Sequence, residues 1–206
     1  MDPSVVWRAP SLLALLGARR TLPAPTDPTL TLAVIGGAAL LAATSALAGA
    51  ARLPAPAATK PFATFSAFYS FYLTQHSRRG TRLAHCAGTL WLLAAAAADA
   101  RLGVAVGAAA GLGCAVFPLL RGLSTGLIEF ALVGAAYAGC ALTLGVAPRL
   151  VAAAPLGAYF FAWLSHAAIE RNRPATFIYP TFSLLGDFVM CFEFITGTGG
   201  GGARSA

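Results

Sequence analysis

Five apolar stretches of nearly membrane-spanning length limit what this chain can fold into. They run near residues 30–50, 83–98, 102–120, 127–147 and 150–168. About 20 helical residues cross a hydrocarbon core of ~30 Å, where the backbone must satisfy its polar groups internally. We therefore predict an all-α fold, a polytopic membrane bundle of four to five spanning helices with additional interfacial or re-entrant helices.

The composition supports a membrane protein. Of 206 residues, 58% are hydrophobic and only 10% are charged, whereas soluble domains carry about 25% charged residues. The net charge of +7 comes from arginines scattered between the apolar stretches. They form no single basic stripe, so they indicate orientation in a lipid bilayer and not binding to nucleic acid.

One membrane domain is expected over residues 30–196, with two flanking segments. Residues 1–29 are either a targeting segment or a disordered tail, and the Gly-rich residues 197–206 are predicted to be flexible. The run 181–196 is short and contains acids, so we predict an interfacial or re-entrant helix there. Residues 62–76 place aromatic side chains on one helical face, which is typical of an interfacial helix and also of ordinary packing.

All three histidines lie in two polar segments at the ends of apolar stretches. TQHSRRGTRLAH contains His76 and His85, and SHAAIERNRPATF contains His166. Nine residues on one helix would place His76 and His85 on opposite faces, so we predict a helix break at Gly80. Four spans lie between His85 and His166, and an even number returns the chain to the same face of the membrane. Neutral imidazole is the commonest metal ligand, and three of them leave coordination positions open for catalysis. The alternative is interfacial hydrogen bonding without a metal.

Glu170 lies four residues after His166 and shares its predicted helical face. It is a candidate metal ligand, a hydrogen-bonding partner that orients an imidazole, or the counter-ion of Arg171 or Arg173.

Two further acids lie in or beside apolar stretches. We interpret Asp187 as a structural partner of Arg173 or a helix-capping group. Glu129 is either a group that supports the site or a partner of Arg121.

The two histidine segments resemble a known family. FYSFYLTQHSRRGTRLAHCAGTLW and YFFAWLSHAAIERNRPATFIYPTFSLLGDFVMCFEF resemble the paired motifs of yeast-type iron-dependent 2-hydroxy fatty acid dioxygenases, long catalogued as domain of unknown function 962. The resemblance covers residues 62–196. It implies an enzyme that requires Fe(II) and O₂ and removes one carbon from 2-hydroxy fatty acids, including acids derived from phytosphingosine. It also implies that His76, His85 and His166 hold the metal.

The physical chemistry of such a substrate agrees with this resemblance. A 2-hydroxy acid can chelate Fe(II) through its carboxylate and hydroxyl, and Arg171, Arg173 or Arg79 can hold the carboxylate. We therefore predict Glu170, Arg171 and Arg173 as catalytic-site residues beside the three histidines. The competing hypothesis is a non-enzymatic membrane scaffold or lipid-binding protein without metal.

The location follows from charge and from the resemblance. If all five stretches span, eight basic residues lie on one side of the membrane and five on the other, not counting the C-terminal tail. Both histidine segments lie on the side with eight. The positive-inside rule places that side in the cytosol. The resemblance implies the endoplasmic reticulum, because the yeast member of the family is an enzyme of that membrane. A plastid or a bacterial inner membrane is the alternative.

Overall fold

The computed structural model of the protein describes residues 53–198, and this part is all-helical, as predicted. The N-terminal segment 1–29, the first apolar stretch 30–50 and residues 199–206 of the tail lie outside the described residues. The six α-helices are α1 Phe65–Thr74, α2 Arg79–Ala98, α3 Ala100–Leu120, α4 Leu127–Thr143, α5 Pro148–Ser165 and α6 Pro180–Thr196. A π-helical turn, His166–Glu170, extends α5, and a 3₁₀ turn, Ala175–Phe177, precedes α6.

Two segments of the described chain are long and apolar enough to cross a membrane, Ala100–Leu120 and Pro148–Glu170. Within residues 53–198, only 33% of an 18-residue stretch of the first segment and 28% of one in the second is buried, so most of this surface faces outward from the described part of the chain. Leu156 and Phe160 on α5 are more than half exposed. Helix α4 is apolar but shorter. Four to five spans therefore remain a prediction.

The longer helices pack through small residues. Helix α2 lies along α5, and a Cβ atom on Gly88 would come within 2.8 Å of the Ala158 carbonyl oxygen. Only glycine permits this close approach between the two helices. Helices α3 and α4 pack side by side. The core between the four helices is built mainly from Ala, Leu and Val, including Leu92, Leu102 and Val151.

A second, aromatic core joins α1 to α6. The predicted aromatic helix is present, but its inner face is covered by protein: Phe68 and Tyr72 are almost completely buried. The Phe68 ring lies 4.8 Å from that of Tyr179 and 5.6 Å from that of Phe182. Ordinary packing therefore explains this face of α1, and its position at a membrane surface stays a prediction.

The structure corrects the interpretation of Glu129 as a partner of Arg121. The Glu129 carboxylate is buried 3.6 Å from the Lys60 ammonium group and accepts a hydrogen bond from the backbone N–H of Thr181. Arg121 instead donates to the Pro54 carbonyl oxygen. The acid joins the segment before α1 to the first turn of α6, a long-range contact that the sequence pattern does not reveal.

Candidate metal centre

The fold brings His76, His85 and His166 together. Their ring centroids are 4.3 to 5.1 Å apart, and one ring nitrogen from each lies within 4.8 Å of the others. All three side chains are buried, with 5% exposure or less. The two polar segments therefore meet at one end of the helix bundle, and the expected closeness of the three imidazoles is confirmed.

Three local features of the backbone place the imidazoles. His76 follows α1, His85 lies in the second turn of α2, and His166 opens the π-helical turn. The predicted helix break is present, but it lies before Arg79, so its assignment to Gly80 was wrong. Gly80 is helical, and a Cβ atom there would approach the Ile169 side chain to 3.3 Å. Short π-helical turns are rare and occur often at functional sites.

Each histidine uses its Nδ1 atom for a hydrogen bond within the protein. His76 Nδ1 lies 2.7 Å from the Tyr72 carbonyl oxygen, and His166 Nδ1 lies 2.7 Å from Asn172 Oδ1. His85 Nδ1 lies 2.6 Å from Asp187 Oδ1. Because all three partner atoms are acceptors, they favour the tautomer with the proton on Nδ1. The lone pair on each Nε2 atom is therefore available for a metal ion.

The Nε2 atoms fit a metal ion better than an apolar or hydrogen-bonded core. Those of His76 and His85 are buried and have no hydrogen-bond partner within the described chain. An unsatisfied buried polar atom costs roughly 1 to 3 kcal/mol, and two side by side need an explanation. A metal ion held by neutral imidazoles supplies one, because it would coordinate both lone pairs. Carboxylate, amide and carbonyl acceptors behind ligating histidines are the usual supporting arrangement.

The electrostatic setting keeps His76 neutral. Burial lowers the pKa of His76 to about 3, and the nearby His85 contributes in the same direction. A protonated imidazole cannot bind a metal ion, so a low pKa keeps this nitrogen available at neutral pH.

Asp187, Tyr72 and Asn172 are site residues that the sequence interpretation missed. Asp187 Oδ1 accepts hydrogen bonds from His85 and from the Tyr72 hydroxyl, at 2.6 and 2.5 Å. It does not pair with Arg173, so that interpretation was wrong. Asn172 Nδ2 donates to the Gln75 carbonyl oxygen, which fixes the orientation of the amide beside His166. An acid inside an apolar run was the available signal for Asp187, because such acids are costly and commonly functional.

Replacing Asp187 with asparagine should lower metal affinity roughly 10- to 100-fold, the usual effect of removing an outer hydrogen-bonding partner of a ligating histidine. The shape of the side chain is retained, but the negative charge that orients His85 is lost. Competition with a chelator measures the affinity. Glu193→Gln is a matched control, because Glu193 lies on the same helix and bonds Tyr69 instead of an imidazole. Equal affinities in both variants would contradict the role of Asp187.

The three other predicted site residues lie around the histidines. Glu170 accepts hydrogen bonds from the backbone N–H of Arg78 at 2.7 Å and from the Ser77 hydroxyl at 3.1 Å. It thereby connects the start of α2 to the turn that carries His166. Glu170 is not among the residues whose ligand atoms lie close enough together to share one ion. Arg171, in a left-handed conformation with φ of 58°, ends the π-helical turn. Arg171 and Arg173 are both exposed, and neither forms an ion pair within residues 53–198.

Over the described residues, fold and site together define an all-helical domain with a buried three-histidine centre able to hold a metal ion. Residues 62–198 match the family described as 2-hydroxy-palmitic acid dioxygenase Mpo1-like, and the chain belongs to that family. The resemblance noted from the two histidine segments is thereby confirmed. No curated protein and no solved structure matches the chain.

Proposed function

We propose that the protein is an Fe(II)-dependent dioxygenase that shortens long-chain 2-hydroxy fatty acids by one carbon. The observation that carries this proposal is the convergence of three buried, Nδ1-bonded histidines within the segment that matches the family. His76, His85 and His166 would hold the ion through Nε2. Bound Fe(II) would supply the redox chemistry with O₂ that amino-acid side chains cannot supply.

The overall reaction balances without a further reductant. One 2-hydroxy acid and one O₂ give the acid one carbon shorter, one CO₂ and one H₂O. The bond between the carboxyl carbon and the hydroxyl-bearing carbon breaks. The two carbons together lose four electrons, and O₂ accepts all four.

The protein would carry out this reaction in a membrane, crossed by four to five helices, with the site at the cytosolic face of the endoplasmic reticulum. Outward-facing apolar side chains on α4, α5 and α6 support the membrane location, including Leu127, Phe160 and Ile195. A long acyl chain partitions into the bilayer at about 0.8 kcal/mol per CH₂, so a site near the surface meets head group and tail together.

A labelled substrate tests the reaction. Purified, iron-loaded protein in liposomes receives O₂ and 2-hydroxypalmitate carrying ¹³C in its carboxyl group. We expect an unlabelled acid one carbon shorter and labelled CO₂ in equal amounts. Label retained in a shortened acid, or no product despite one bound iron, would refute the reaction. Protein that binds neither iron nor another metal would instead support the scaffold alternative.

Arg173 is proposed to hold the substrate carboxylate, with Arg171 as its neighbour on the same loop. Arg173→Ala should raise KM about tenfold and leave kcat less affected, because one partly exposed charge-assisted hydrogen bond strengthens binding by about that factor. Arg149→Ala is the control, because Arg149 is also exposed but lies in the first turn of α5, at the opposite end of that helix from His166. A raised KM for Arg171→Ala alone would transfer the role to Arg171.

Glu170 is proposed as a positioning residue that acts through His166. Its two hydrogen bonds to Ser77 and Arg78 hold the π-helical turn against the start of α2. His76 comes immediately before Ser77, so the same carboxylate steadies the segments that carry two of the three imidazoles.

A further inference from the structure

A large apolar cleft begins at the metal centre. Its volume is about 850 Å³, and His85 and Asp187 contribute to its lining at one end. From there it follows the space between α4 and α5 as far as Leu142 and Pro148. Pockets that hold drug-sized ligands have volumes of about 300–1,000 Å³, so the cleft has room for an extended molecule.

The walls of the cleft suit a hydrocarbon chain. Helix α4 contributes one face, including Phe130 and Gly134, and α5 contributes the opposite face, including Leu156 and Trp163. Nearly all of the lining side chains are apolar. Residues 53–198 leave much of this apolar surface uncovered, since Leu156 is 67% exposed and Trp163 is 43% exposed. The cleft therefore opens sideways between the two helices.

One side chain crosses the cleft toward its far end. The Tyr137 hydroxyl donates a hydrogen bond to the Val151 carbonyl oxygen at 3.0 Å, linking α4 to α5. Val151 lies fifteen positions before His166 along α5 and its π-helical extension. At a rise of ~1.5 Å per residue this distance is about 22 Å. An acyl chain that fills one leaflet of a ~30 Å hydrocarbon core spans about 15 Å, so the cleft has length for such a chain and for a head group at the metal centre.

We propose that this cleft binds the acyl chain of the substrate and that Tyr137 sets the chain length the enzyme prefers. The inference rests on the proposed function, because it assigns the head group of a 2-hydroxy acid to the end of the cleft at His85. The occupant follows from three observations: continuity with the metal centre, an apolar lining, and a distance to Tyr137 that accommodates a head group together with one leaflet's acyl chain. The lateral opening allows the chain to enter from the bilayer.

Gly134 offers a direct test. Gly134 lines the cleft, and a Cβ atom there would meet no described atom within 4 Å, so a larger side chain at this position would begin in open space and occupy part of the cleft. Gly134→Leu should lower kcat/KM for 2-hydroxypalmitate at least tenfold. It should change kcat/KM for 2-hydroxyoctanoate less than twofold and leave iron content unchanged. Gly139→Leu is the matched control on the same helix, because Gly139 also has open space around it but does not line the cleft.

Tyr137 tests the length limit itself. Tyr137→Ala should shift the preferred substrate to longer chains, because the lining continues beyond this residue to Pro148. Tyr137→Phe keeps the ring and should keep the preference. Unchanged chain-length profiles in both Gly134→Leu and Tyr137→Ala would overturn the proposal.

A binding measurement separates this proposal from the proposed reaction. A 2-hydroxypalmitate analogue with a photoreactive group at its tail is crosslinked to the protein, and the labelled residues are identified by mass spectrometry. We expect label near Tyr137 and Val151, lost in Gly134→Leu and retained in Gly139→Leu, even if no substrate is turned over. Label spread evenly over outward-facing residues, as for a bulk bilayer lipid, would overturn the cleft assignment while leaving the reaction to its own assay.

Discussion

Replacing any one of the three histidines with alanine is expected to remove bound iron and to lower turnover by roughly three orders of magnitude or more. Two imidazoles leave too few protein ligands for a stable site, and the remaining side chains supply no redox chemistry with O₂. Metal analysis of the purified protein and product formation from 2-hydroxypalmitate measure the two effects.

Controls must separate loss of metal from loss of folding, because these histidines are buried. His85→Gln fills more of the same space than alanine and keeps a polar group near Asp187, so it should fold but still lose iron. Elution as one species from a sizing column in detergent checks the folding of each variant. A His variant with normal iron content and normal turnover would refute the ligand assignment for that residue.

The convergence of the three histidines was predictable because it depends only on topology and helical periodicity. An even number of helices between His85 and His166 returns the chain to the same end of the bundle. The nine-residue spacing between His76 and His85 required a helix break, and the chain does break between α1 and α2. Neither the number of helices nor the spacing of the two histidines depends on the exact residues at which the helices begin and end.

The hydrogen bonds of Asp187 and Glu170 could not be predicted because they join residues far apart in the chain. Asp187 meets His85 across 102 residues, and Glu170 meets Arg78 across 92. Sequence periodicity relates a residue only to neighbours on its own helix. It assigned Glu170 to the same face as His166, but the π-helical turn separates the two side chains: the imidazole enters the site, and the carboxylate turns to the start of α2.

The number of membrane spans is also beyond what periodicity and length decide. The first turn of helix α2 contains Arg79, Thr81 and Arg82. The helix as a whole is therefore less apolar than the two segments, α3 and the extended α5, that are apolar enough to cross a membrane. Its apolar half nevertheless packs along α5 and exposes Leu90 and Leu93. A helix that lies partly against other helices and partly against lipid needs fewer apolar residues than an isolated span, because neighbouring protein covers its polar groups.

A substrate without the 2-hydroxyl group is the second change expected to have a large effect. Palmitate has the same carboxylate and the same tail as 2-hydroxypalmitate, so it should occupy the site. It should be turned over more slowly by roughly four orders of magnitude, because a site built to bind a substrate hydroxyl strongly rejects an analogue that lacks it. Parallel assays with the two acids, followed by mass spectrometry of the products, measure the ratio.

The same comparison distinguishes binding from reaction. Palmitate should inhibit the turnover of 2-hydroxypalmitate competitively, since the proposed contacts of the apolar cleft and the exposed arginines are to groups that both acids share. A 3-hydroxy acid of equal length is the matched control, because it carries one hydroxyl but moves it one carbon away from the carboxylate. Slow turnover of both analogues would show that the reaction requires a carboxylate and a hydroxyl on adjacent carbons. Equal turnover of palmitate would refute the role of the 2-hydroxyl, because carboxylate and tail alone would then suffice for reaction at the three-histidine centre.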